Sequence, residues 1–119
     1  MSYLSHYATR RLSIRRRGRD ARVDERVRLN LPGFHGEASV RVFVEDTTGR
    51  PVQPRLRLRV SDCFHEIALE FEVGDHAARE NSLHKIHTLI GALERFRDGL
   101  AAEAELAARR ERHLTTHRR

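Results

Sequence analysis

One cysteine, one lysine and no proline after Pro54 are the first things missing from this 119-residue chain. With Cys63 alone, no intrachain disulfide can form, which fits a reducing compartment. No apolar run is long enough for a membrane-spanning helix, so neither a membrane span nor a membrane partner is expected. The first nineteen residues contain six Arg, three Ser and no acid. They loosely resemble an organellar transit peptide but lack the apolar centre of a secretion signal. They read as a basic arm on a cytoplasmic protein.

Glycine-rich phosphate loops are missing too. "TTGR" and "LPGFHG" lack the spacing that cradles nucleotide phosphates. Cys63 and His65 are near neighbours, but a thiol nucleophile also needs an orienting group and a pocket. None can be named, so no enzymatic activity and no cofactor are expected. His76, Glu80, His84 and His87 follow at helical spacing on one flank. Two imidazoles and a carboxylate can hold zinc, but helical metal sites draw matching ligands from other helices. No second ligand cluster exists here, and no metal site is expected.

What is abundant is arginine. Of 23 basic residues, 22 are Arg and only Lys85 is Lys, a skew that suggests GC-rich coding of the actinobacterial or phage kind. Arginine grips phosphate with two donors and stacks on aromatic rings. The net charge of +6 is unevenly placed. Residues 1–28 carry +6, residues 106–119 carry +4, and the body between them carries −4. Basic ends on an acidic body suit nucleic acid or an acidic protein surface, or are simply solvated tails.

The apolar pattern gives the fold. "RVDERVRLNL" (22–31), "ASVRVFVED" (38–46), "RLRLRV" (55–60) and "FHEIALEFEV" (64–73) each alternate with period two. Four such segments read as an antiparallel meander with one apolar face. Asp75 then offers a helix N-cap, with Asn81 as a second candidate, and a helix runs toward Arg112. The fold expected is α+β: a four-stranded antiparallel sheet with one long C-terminal helix packed on one face. The parts are a basic arm (1–21), a ββββα domain (22–100) and a helix extension with a basic end (101–119).

Parity also predicts pairings. A turn at Asp62-Cys63 sets Arg59 opposite Glu66 and Arg55 opposite Glu70. Pairing Val42 with Leu58 sets Phe43 opposite Arg57 and Arg41 opposite Arg59. Pairing Leu29 with Val42 sets Arg28 opposite Phe43. The polar face becomes an arginine field around one aromatic. That is how single-stranded nucleic acid is held, by base stacking and phosphate attraction. The competing reading is cross-strand ion pairing, with Arg stems covering Phe43.

On the helix, Ile86, Leu93, Leu100, Ala107 and Leu114 keep a seven-residue spacing that suits a helix–helix seam. Arg97 and Glu111 interrupt that stripe. A homo-oligomer joined through this helix is expected. The element order resembles that of the Whirly and PUR-type single-strand-binding proteins, which dimerise through their helices. Likeness in element order bears on fold and does not establish function.

Two functional expectations follow. One is a small nucleic-acid-associated binding protein using Arg15, Arg16 and Arg17 of the arm with Arg28, Arg41, Phe43 and Arg57 of the sheet. The other is a protein-interaction or assembly module, of the kind found among small phage structural or regulatory proteins, with no nucleic-acid role.

Overall fold

A computed structural model describes residues 21–117. Four strands form one open antiparallel sheet: β1 (Ala21–Arg28), β2 (Ala38–Glu45), β3 (Leu56–Asp62) and β4 (His65–Glu70). They lie in chain order, so the sheet is a meander with β1 and β4 as its edges. One helix, α1 (His76–His117), follows. The architecture is therefore α+β, as the alternation predicts. The described residues divide into two compact units, one holding the four strands and the other holding α1.

The strands form where β-branched and apolar residues alternate with charge. Val40, Val42 and Val44 share one face of β2, and Leu56, Leu58 and Val60 continue it on β3. Val23 and Val27 extend this face onto β1, Ile67 and Leu69 onto β4. Glu25 interrupts it, because it stands opposite Val42.

The β2–β3 register is the expected one, with Val42 opposite Leu58, Phe43 opposite Arg57 and Arg41 opposite Arg59. The other two registers differ from expectation. Between β3 and β4 the turn residues are Cys63 and Phe64, closing the pair Asp62–His65. Arg57 therefore faces Glu70, and Arg59 faces Ala68. Cys63 takes φ 55°, left-handed backbone of the kind two-residue hairpin turns need. Its N–H donates to the Glu37 carbonyl at 2.7 Å, which ties the turn to the β1–β2 loop.

Between β1 and β2, Val27 faces Val40 and Arg28 faces Ser39. Leu29 pairs with Ala38 instead of Val42, through its N–H to the Ala38 carbonyl at 2.9 Å. The loop can close this tightly because Gly33 and Gly36 take positive φ, 93° and 87°. The slip is an even number of residues, so every side chain keeps its expected face.

The helix starts where a short polar side chain can take up a free backbone donor. Asp75 Oδ1 accepts from the Ala78 N–H at 2.8 Å. The helix has 42 residues, about 63 Å at 1.5 Å per residue. It runs five residues past the expected Arg112. In its last turns Thr115 and Thr116 hydroxyls donate to the carbonyls of Glu111 and Arg112.

Leu56, at 6% exposure, is the only buried hydrophobic residue among those described. Leu29, Leu31, Phe34 and Phe64 stand exposed in the β1–β2 loop and the β3–β4 turn, Phe64 almost completely. Leu83, Ile90, Leu93, Phe96, Leu100 and Leu114 stand exposed along α1.

Candidate interaction surfaces

Two surfaces have functional potential: the charged face of the sheet and the apolar stripe of α1. The charged face is built by strand alternation. Side chains opposite those of Val40, Val42 and Val44 are Ser39, Arg41, Phe43 and Glu45. Register then arranges their neighbours in rows across the sheet. Asp24, Phe43, Arg57 and Glu70 form one row. Arg26, Arg41, Arg59 and Ala68 form the next. Arg28, Ser39, Ser61 and Glu66 form the third.

These rows are knitted by ion pairs. Arg57 Nε is in ion-pair contact with Glu70 Oε1 directly across β3 and β4. Arg59 reaches Glu66 diagonally, 3.4 Å from Nε to Oε1. Arg41 lies 3.7 Å from Asp24, whose side chain is only 7% exposed. So the expected partnership of Arg59 with Glu66 exists, but not as a facing pair. Glu70 belongs to Arg57 and not to Arg55 as expected, because the turn sits one residue later.

Among the described residues Glu45 is the most enclosed acid, at 4% exposure. Its Oε1 accepts from the Arg55 N–H at 2.9 Å, while its own N–H donates to the Arg55 carbonyl at 2.9 Å. That double link fastens the end of β2 to the start of β3. Nearby, Asp46 Oδ1 accepts from the Thr48 N–H at 2.9 Å and lies 3.4 Å from Arg22. The Thr48 backbone donor, then its side chain and the Arg22 charge hold the Asp46 carboxyl below its ordinary range.

Of the expected site residues, the sheet brings Arg41, Phe43 and Arg57 together on one face. Arg28 lies on the same face but two rows from Phe43, opposite Ser39. Phe43 is half-buried, flanked across the strands by Asp24 and Arg57. Arg15, Arg16 and Arg17 lie outside the described residues. On this face, Arg26, Arg28, Arg41, Arg57 and Arg59 meet Asp24, Glu45, Glu66 and Glu70. It is close to electroneutral, which does not resemble a groove built to follow phosphates. Asp24 and Glu45 are the residues that sequence reasoning missed. Each sits in a segment of alternating charge, and only the register reveals what it faces.

The second surface lies on α1. Leu83, Ile86, Ile90, Leu93, Arg97, Leu100, Ala104, Ala107, Glu111 and Leu114 fall at alternating steps of three and four, forming one seam. The polar flank carries contacts of its own. His76 Nε2 lies 2.9 Å from Glu80 Oε1, and His84 Nε2 lies 3.4 Å from the Thr88 hydroxyl. Arg109 and Arg112 both reach Glu105, at 3.6 Å.

Compared with models of known protein families, with curated proteins and with solved structures, the chain matches none.

Proposed function

We propose that this chain is a non-enzymatic assembly module that acts by binding protein, with self-association through α1 as its first step. One observation carries this reading. A single hydrophobic side chain is buried among the described residues, while large apolar side chains stand exposed along the helix and in the loops. Isolated soluble proteins rarely leave a stripe of large apolar side chains along a whole helix face in water. A chain of this length needs a core of its own or a partner that completes one.

Folding linked to association has a direct signature. The midpoint of thermal unfolding rises with protein concentration, because mass action favours the associated native state. A melting curve superimposable across about a hundredfold range of concentration would remove the proposal.

A second reading keeps single-stranded nucleic acid as partner. The row of Arg26, Arg41 and Arg59 favours it, since three guanidinium groups in line present a strip of positive charge beside Phe43. Arg26 has no ion-pair partner among the described residues, so the strip is not fully neutralised. Salt-dependent titration with a fluorescent single strand tests this: phosphate contacts give a negative slope of log affinity against log salt. Binding that is absent at low salt eliminates it.

A further inference from the structure

We infer that the occupant of the α1 seam is a second copy of this chain, running antiparallel. This rests on the assembly reading above and adds partner and orientation to it. The charges that interrupt the seam supply the argument. Arg97 and Glu111 occupy the same seam position two heptads apart, on either side of Ala104. In a parallel, in-register pair each would meet its own copy: Arg97 against the partner's Arg97, Glu111 against the partner's Glu111. Like charges facing in an interface oppose binding. In an antiparallel pair each can instead lie one layer from its opposite, within reach of the long Arg97 side chain.

One antiparallel register does this while overlapping most of the apolar seam. It is centred on residue 102. Leu100 then faces the partner's Ala104, Ile90 faces the partner's Leu114, and Arg97 faces the partner's Ala107. Glu111 of the partner subunit sits one layer from Arg97, within reach of its long side chain. Large residues meet small ones at the centre, where Ala101, Ala104, Ala107 and Ala108 let two helices approach closely. Phe96 comes beside the partner's Arg110, an arrangement that suits a guanidinium over the ring face. Glu103 comes near its own copy at the rim, where water and salt screen like charges. Within its own chain Arg97 is held by Asp98, 3.0 Å away on an exposed flank. Such an exposed pair is weak and does not compete strongly with a partner in the seam.

The test combines a distance and a charge exchange on the full chain. Cys63→Ser removes the only native thiol, and Thr88→Cys places a nitroxide on the outer side of α1. Residue 88 stands opposite the partner's position 116, so the two labels are 28 residues apart along the helix, about 42 Å. With the width of the helix pair, the antiparallel arrangement predicts a spin–spin distance of about 45 Å. A parallel pair predicts about 20 Å. In parallel, Arg97→Glu and Glu111→Arg are compared singly and together. Each single exchange is expected to weaken dimerisation by about tenfold or more, and the double exchange to restore it to within about threefold. Circular dichroism checks that α1 persists in each variant. A stable dimer with a short distance, or with single exchanges that leave affinity unchanged, overturns the antiparallel assignment alone. Absence of any dipolar coupling in a sample that sediments as a monomer overturns it together with the assembly reading.

Discussion

Replacing Leu100 by Ala separates a helix that merely lies in water from one that serves as an interface. Leu100 is 57% exposed in the isolated chain. Truncation to Ala removes three carbons, each contributing about 0.8 kcal/mol when buried. The part already covered within the chain therefore accounts for about 1 kcal/mol of stability, and the higher helix propensity of Ala returns a few tenths. The exposed part amounts to about 1.3 kcal/mol per copy, gained only if a partner covers it. A two-fold dimer contains Leu100 twice, so the dissociation constant should rise about a hundredfold. Sedimentation equilibrium of the native chain and of Leu100→Ala measures this, with helix content monitored alongside. An unchanged dissociation constant in a fully helical variant would refute the reasoning.

Glu45→Ala leaves the enclosed Arg55 N–H without its carboxylate acceptor and should cost about 2–3 kcal/mol in urea unfolding, while Glu45→Gln should cost less because an acceptor remains. Asp75→Ala removes the cap at the Ala78 N–H and should cost about 1 kcal/mol, read from the same unfolding curves. Asp46 should titrate below an ordinary aspartate by NMR. Its folded-state pKa is lowered, so its contribution is present above the unfolded value and is lost as pH falls through the folded one. Asp46→Asn should remove that acid-side loss. Phe43→Ala should lower thermal stability, because the ring is half-buried, and should leave self-association unchanged; a selective loss of single-strand binding in a folded variant would favour the nucleic-acid reading instead.

Side-chain parity was legible in the sequence and register was not. Val40, Val42 and Val44 alternate with Arg41 and Phe43, and a slip of one residue would expose the whole apolar set. That fixes faces. A slip of two or four keeps every face, so alternation cannot place Arg28 opposite Ser39 or Arg57 opposite Glu70. Turn position decided those pairings, and cysteine carries no turn preference that would point to a left-handed Cys63. The ion-pair lattice inherited this ambiguity, since which Arg meets which acid is a matter of register. Asp75 was legible because a carboxylate before a helical run is a local signal, completed within three residues. The far end of α1 was not, because its last turns hold no glycine or proline to stop them.

The account depends most on the chain completing its core with another copy. Light scattering of the unmodified protein at about 1–100 µM, in low and moderate salt, measures that directly. The account predicts a mass near twice the 13.8 kDa of one chain, shifting toward one chain on dilution. A mass of one chain throughout this range, from a protein that is helical and unfolds cooperatively, would contradict it.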